Sequence, residues 1–405
     1  MCRHPARLVD KVVCVNAGVR FPGPLGIFWL GLLQILVWGG SFFLLAVMGK
    51  PILRETGWDS GWVYGALSLG LMVSALLAPL SSRLVARYGG RSQLAASGVV
   101  VGLGLLVVAN CHSLLVFLLA WVIIGAGMAM GLYEALFATL GALYAERAGR
   151  AITGITLISG FATTITWPVV ALAIEQLGWR TACTAYALVL IVAVAPLYLW
   201  VLPAGQPPHK AQGATVTNDL PVDRRLYWLL TAIFAIGAII MTAVSVQLVA
   251  VLQGQGHSLA AAIGLSALLG PSQVASRVLQ IIAGKRHPIW TALVSSLLVA
   301  VGLTLVAVAP GVTALGLLLY GCGNGLRAIV RGLLPLALMP PAQYVALMGK
   351  MSRPSLVGQA LTPLAGGYLF QHFGAMGVLA TLSALALTSV VLVLLVMRSL
   401  PRQTA

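Results

Sequence analysis

The sequence predicts an all-α membrane protein whose twelve transmembrane helices form two pseudo-symmetric six-helix halves. Three observations carry that prediction. The 405 residues are 60% hydrophobic and only 8% charged, a balance that a soluble domain of this size does not sustain without aggregating. Apolar runs long enough to cross about 30 Å of hydrocarbon as helices recur along nearly the whole chain, with no strand-like alternation between turns. Motifs on the two sides of one polar interruption also repeat at an offset of roughly 195 residues.

In chain order, residues 1–26 form a basic tail. Its only apolar stretch, "VVCVNAGV", is too short for the core of a cleaved signal peptide, so it reads as a flexible cytoplasmic segment or an early start. The first half, 27–202, holds spans at 27–48, 60–80, 93–111, 114–142, 152–174 and 182–202. Residues 203–225, "PAGQPPHKAQGATVTNDLPVDRR", are the one long proline-rich polar interruption and read as a linker. The second half, 226–398, holds spans at 226–251, 259–282, 289–308, 312–337, 343–369 and 375–397, and 399–405 form a C-terminal tail. Pro168, Pro271, Pro335 and Pro363 lie inside spans, where they break or bend helices that have to rock.

The formal charge of +16 suggests a nucleic-acid binder until its distribution is mapped. Of 24 Lys and Arg, all but five fall in one alternating set of segments: the N-terminal tail, Arg83 to Arg91, Arg147 and Arg150, Lys210, Arg224 and Arg225, Lys285 and Arg286, Arg331, Lys350 and Arg353, and Arg398 and Arg402. Lys50, Arg54 and Arg180 lie in the opposite set. This is the positive-inside pattern, so both termini are expected in the cytoplasm of a bacterial-type inner membrane, with the lipid bilayer rather than nucleic acid as partner. Five cysteines show no CxxC spacing, and the six histidines are dispersed, so neither a disulfide framework nor a metal site is expected. No GxxxxGK[ST] loop is present, which removes ATP as the energy source, and no cofactor is expected.

Of eight acidic residues, seven fall in tails, loops or helix ends, and only Glu134 is deep in an apolar run. Burying a carboxylate in hydrocarbon costs about 2.5 kcal/mol or more, so Glu134 is neutral, paired or facing a wet cavity. Its helix face carries Gly127, Gly131, Ala138 and Gly141, small residues that mark a packed interior. Two readings stand: a proton-coupling carboxylate, or a structural pair with an arginine of a neighbouring helix. Arg327 and Arg331 share a face with Asn324; Arg327 is deep enough to line a pathway, whereas Arg331 is expected to snorkel to the inner headgroups. Gln34, Trp38 and Ser41 recur on one face of the first span and, with Tyr133, are candidates for the cavity wall or for interfacial packing. Two or three buried arginines against one glutamate favour a small anionic solute, a carboxylate, entering together with a proton.

The motifs also carry a resemblance. "SRLVARYGGR" (82–91) is similar to the signature loop of the major facilitator superfamily, with Arg87, Gly89 and Arg91 matching and Ser82 and Ala86 standing where the pattern has Gly and Asp. "GAGMAMGLYEA" over "GCGNGLRAIVR", Pro168 over Pro363 and "GGR" over "GKR" are the repeats such a fold implies. The resemblance implies two halves rocking about a midplane cavity, with Arg83, Arg87, Gly89 and Arg91 in the inner gate loop. More narrowly, "GPSQVASRVLQIIAGKRHP" (270–288), "YGGR" and "AERAGRAITGI" resemble the monocarboxylate-transporter and oxalate/formate-exchanger branch. That branch implies Arg277 as the principal anion ligand and Arg327 as a supporting charge. Gln273 replaces its aspartate, and Val47 falls at its helix 1 lysine.

The sequence thus reads as a secondary transporter and not an enzyme, most simply a proton-coupled carrier of organic anions, with a monomer a plausible unit. Two other functions stay open. One is efflux of a drug or a metalloid such as arsenite, for which Cys322 in "GCGNG" is the argument. The other is a non-transporting sensor on the same fold, for which the altered gate loop is the argument.

Overall fold

The computed structural model describes residues 22–144, 147–203, 223–284, 287–339 and 341–399. The N-terminal tail through residue 21, the linker over 204–222, and Glu146, Lys210, Lys285, Arg286 and Arg402 lie outside the described residues. Among the described residues every regular element is helical.

The first crossing is split into α1 (Pro24–Gly39) and α2 (Leu45–Thr56), followed by α3 (Ser60–Tyr88) and α4 (Gly90–Ala109). The fourth is split into α5 (Leu114–Gly131) and α6 (Tyr133–Tyr144), and the fifth into α7 (Ala148–Ser159) and the first part of α8 (Ala162–Val189). A π-helical turn at Leu190–Val194 joins α8 to α9 (Ala195–Val201). The second half runs through α10 (Arg224–Gly254), α11 (Leu259–Ala267), α12 (Leu269–Ile282), α13 (Pro288–Val308), α14 (Thr313–Leu338) and α15 (Pro341–Ser399).

Among the described residues, eight helical stretches are long and apolar enough to cross a membrane. Two of them, Ala148–Val201 with 54 residues and Tyr344–Ser399 with 56, are far longer than one bilayer at about 1.5 Å per residue, and each crosses twice. They turn at Gly178 and Gly374, whose φ values of 78° and 64° are open to glycine at no steric cost. The broken α1–α2 and α11–α12 supply the other two crossings.

Polar side chains fix several helix starts. Asp59, Ser113, Asp223 and Ser258 each accept a hydrogen bond from a backbone N–H in the first turn of α3, α5, α10 and α11. The spans at 27–48 and 259–282 are each interrupted, the second beside Pro271, where the sequence leads one to expect a break or bend. Gly39 and Gly40 lie against Tyr186, so closely that a Cβ at Gly40 would overlap its ring and one at Gly39 its hydroxyl, and the first crossing breaks just beyond them. Pro271 has no N–H to donate to the carbonyl of Ala267, and the eighth crossing breaks at that residue.

The repeat is written into the backbone. Among the described residues the glycines with positive φ are Gly57, Gly89, Gly178, Gly256, Gly284 and Gly374, and they form three pairs separated by 199, 195 and 196 residues. Packing repeats in the same way. Gly104 of α4 lies on the carbonyl of Ala120 in α5, and Gly302 of α13 lies on that of Gly316 in α14. Gly127 likewise sits against Ser97 and Val101, and Gly323 against Ser295 and Val299. Without an aqueous hydrophobic effect between helices, such close backbone approach is what holds them together.

The two halves meet most tightly toward the face that bears the linker. Gly349 of α15 approaches Ser82 and the carbonyl of Ala78 on α3, Tyr344 lies on Gly141 of α6, and Gly332 of α14 packs against Phe137 and Ile152. The apolar core of the first half accordingly continues into Tyr344, Val345, Met348, Leu356 and Ala360 of α15.

On the opposite face, Glu55 at the end of α2 accepts hydrogen bonds from Arg180 Nε (2.8 Å) and Trp179 Nε1 (2.5 Å), while Arg180 Nη1 reaches the carbonyls of Ala109 and Cys111 at 2.8 Å each. This clamp ties three inter-helix connections of the first half together. The Arg180 guanidinium holds the Glu55 carboxyl below the usual carboxylate range. Because the folded value is depressed, the contribution is complete above the unfolded value of about 4.3 and disappears as pH falls through the folded one. With side-chain exposures of 28% and 49% the pair is well screened. Glu55→Gln is therefore expected to lower the melting midpoint of the purified protein at pH 7 by no more than about 2 °C, a difference that closes as the medium is brought below pH 4 or so; a gap unchanged by pH would show that the carboxylate charge contributes nothing.

Candidate functional site

The break between α5 and α6 builds the site. At Leu132 the backbone turns extended, so the amide of Ala135 bonds to Leu132 at 3.1 Å and leaves the Gly131 carbonyl without its helical donor. Gln34 supplies the replacement. Its Nε2 donates to Gly131 O (2.8 Å) and to the Tyr198 hydroxyl (3.0 Å), while its Oε1 accepts from Trp38 Nε1 (3.1 Å). Gln34 is fully buried and its amide is consumed by these partners, so it acts as a strut for the break and not as a surface of a cavity.

The strut aims the first turn of α6. The Trp38 ring lies 5.1 Å from the Tyr133 ring, which in turn stacks on Phe137 at 5.1 Å. The Tyr133 hydroxyl meets Ser159 Oγ at 2.6 Å, at the end of α7. Beside it, Glu134 Oε1 accepts a hydrogen bond from Arg331 Nη2 of α14, an ion pair that crosses from one half to the other.

That pair corrects the snorkelling expected of Arg331. Its side chain is 17% exposed and that of Glu134 14%, and two opposite charges this deep offset each other's desolvation better than either does alone. Arg331 is the residue that sequence reasoning missed, although a signal existed. It stands 197 residues after Glu134, close to the repeat offset, so the two occupy nearly equivalent places in the fourth and tenth crossings.

Arg277, on α12, is 4% exposed. Its Nε donates to the Gly325 carbonyl of α14 at 3.1 Å, and its Nη1 to the Thr156 carbonyl of α7 in the other half. Both partners are backbone carbonyls; no carboxylate faces it among the described residues. Arg327 turns elsewhere. Its Nη2 donates to Asn324 Oδ1 at 2.5 Å and its stem lies on Gly237 of α10, so this pair is set apart from the Tyr133 cluster.

The signature-like loop lies at the turn from α3 to α4. Arg83 and Arg87 are exposed, with Arg87 over the Tyr88 ring at 5.1 Å. Arg91 donates to the Leu199 carbonyl of its own half, and Gly89 makes the turn at φ 80°. Where the pattern's aspartate would sit is Ala86, exposed. Among the described residues the cross-half ion pair is at Glu134, well inside the loop.

The sequence model of the Major Facilitator Superfamily matches residues 30–352. Among solved structures, that of the human organic anion transporter MFSD10 (TETRAN) superposes with a TM-score of 0.70 at 18% identity, covering 91% of this chain and 98% of that one. The proton:xylose symporter XylE bound to 6-bromo-6-deoxy-D-glucose gives 0.70 at 14% identity over 93% and 96% of the two chains. The transporter FucP in its outward conformation gives 0.70 at 13% over 91% and 98%. At these identities the likeness is one of fold. No curated protein matches the sequence.

The ion pair makes a quantitative expectation. Glu134→Gln or Arg331→Gln alone strands a buried charge and is expected to cost about 3 kcal/mol, whereas the double variant recovers most of the loss. Denaturation midpoints of the detergent-purified proteins check this, and neutral single variants would mean that the pair does not hold the seam.

Proposed function

Since the chain belongs to the Major Facilitator Superfamily, we propose that it is a proton-coupled carrier of small organic anions, working by alternating access of a site between its two halves. Family and fold make it a multi-pass membrane protein and a secondary transporter of small solutes, not an enzyme. The proposal adds the substrate class, the coupling ion and the residues.

One observation carries the anion reading: two guanidiniums, Arg277 and Arg331, lie at the seam against the carboxylate of Glu134, and a third, Arg327, is half-buried within the second half. Arg277 has only neutral carbonyl partners, and a planar guanidinium with unused donors is matched by a carboxylate that can take two parallel N–H bonds. A site for lipophilic cations would need the opposite sign. The neighbours' names alone would leave the class open, since one is named for an organic anion and another for xylose.

Coupling follows from the ion pair. When Glu134 takes a proton, Arg331 loses its counter-charge, and a substrate carboxylate restores it. Anion and proton thus enter together with no net charge left in hydrocarbon. The Tyr133 hydroxyl reaches the end of α7 that also receives Arg277, and Tyr133 immediately precedes Glu134, the partner of Arg331. Trp38 supports the Tyr133 ring, Gln34 holds the break behind it, and Asn324 with Arg327 supplies a secondary positive flank.

In this reading the linker face is cytoplasmic, the membrane is a bacterial-type inner membrane, and Arg83, Arg87, Gly89 and Arg91 line the inner gate. The bias of basic residues toward that face supports the orientation. The metalloid alternative has little support, because Cys322 donates to the Ser272 carbonyl at 3.5 Å while Cys111 and Cys183 lie in the other half.

The test uses proteoliposomes loaded with a pH-sensitive dye, with acetate, lactate, oxalate and benzoate added outside one at a time. Luminal acidification is expected with at least one of them, abolished in Glu134→Gln and slowed at least tenfold in Arg277→Ala. Silence toward every carboxylate would overturn the reading and direct attention to drug and arsenite resistance assays.

A further inference from the structure

Arg277 rests where a helix of the opposite half ends. Its Nη1 donates to the carbonyl of Thr156, in the last turn of α7, which the amide of Gly160 also approaches at 3.1 Å. The C-terminal end of a helix carries a partial negative charge on its unpaired carbonyls, so a buried guanidinium finds compensation there without a carboxylate. Gly160 makes the room, because a Cβ at that position would overlap Arg277 Nη1. Next to it Ser159 is engaged by the Tyr133 hydroxyl. One turn of backbone therefore touches α6 and α12 at once.

We propose that the turn from Thr156 to Gly160 is a cradle holding Arg277 across the seam, and that a substrate carboxylate binds by taking the guanidinium out of it, which makes Gly160 a positioning residue that sets substrate affinity. This rests on the anion reading of Arg277. A carboxylate accepts two charge-assisted bonds where the helix end offers one carbonyl, so the exchange is favourable. It leaves the Thr156 carbonyl to the Gly160 amide alone among backbone donors and removes a cross-half bond. Binding and loosening of the seam between α7 and α12 are then one event.

Gly160→Ala tests this, because it expels the guanidinium without touching its charge. The half-saturation concentration for whichever of acetate, lactate, oxalate or benzoate is transported is expected to fall about threefold to tenfold, the worth of one competing hydrogen bond, while the maximal rate drops. A merely structural glycine would leave half-saturation unchanged or raise it.

A second readout is oxidative cross-linking of Thr164→Cys with Gly270→Cys in a cysteine-free background, since a Cβ at Gly270 would stand 3.6 Å from Thr164 Oγ1 across the same seam. The transported carboxylate is expected to change the cross-linking rate at least twofold, and Gly160→Ala to show the changed rate with no ligand. Wild-type behaviour of Gly160→Ala in both readouts overturns the inference. Should that variant not fold, a cross-linking rate indifferent to the carboxylate overturns it instead. Failure of the anion reading itself looks different, because the wild-type protein then transports none of the four.

Discussion

Charge in a low-dielectric seam is the constraint from which the rest of this architecture follows. Each ionised group between the halves needs an opposite charge, a set of carbonyls or water, and the first two are in place here. Glu134 and Arg331 neutralise each other; Arg277 leans on carbonyl groups. Around these contacts the helices accept positions they would not take for packing alone. The fourth crossing gives up continuity at Leu132 so that its next turn can point a carboxylate at α14, and the fifth gives up continuity at Gly160, where a guanidinium arrives.

Each interruption frees backbone groups that the bilayer cannot solvate, so each needs a partner from elsewhere in the fold. Gln34 from the first crossing takes the carbonyl freed in the fourth, and Arg277 from the eighth adds a charged donor to a carbonyl at the end of α7 that the Gly160 amide also reaches. The difference in chemistry matters. A neutral amide inside one half is a fixed strut, whereas a charge reaching from the other half can be claimed by an anion. The strut sits in the part of the first half that packs as one core, and the exchangeable contact sits where the halves divide.

Much of the fold was legible in the sequence, because composition and hydropathy act over whole helices and a repeat leaves several marks at one offset. The positions of the breaks were less so. Pro271 announces the interruption at Ala267 by its missing N–H, but Leu132 has no such mark and becomes visible only with the carbonyl it liberates. Within the site, Glu134 stood out as an acid without a local reason. Its partner did not, since an arginine seven residues from the end of α14 has the look of a headgroup contact until the opposite helix is in place. Gln34 was visible as a polar residue on the right face; that its amide is fully used is a fact of three-dimensional packing.

The near-equivalence of Glu134 and Arg331 in the two repeats has a consequence for ancestry. Residues related by a pseudo-two-fold axis that also touch each other must lie close to that axis. Two identical copies of the first half, assembled about it, would bring carboxylate against carboxylate; two copies of the second would bring guanidinium against guanidinium. The first would have to hold a proton between its carboxylates, and the second would bury two like charges that cannot be neutralised in this way. The backbone can keep the symmetry of a duplication, as the paired glycine turns do, but the opposite charges near its centre are a place where the two copies differ, and a chain built from two copies of one half would lose this ion pair while keeping every helix.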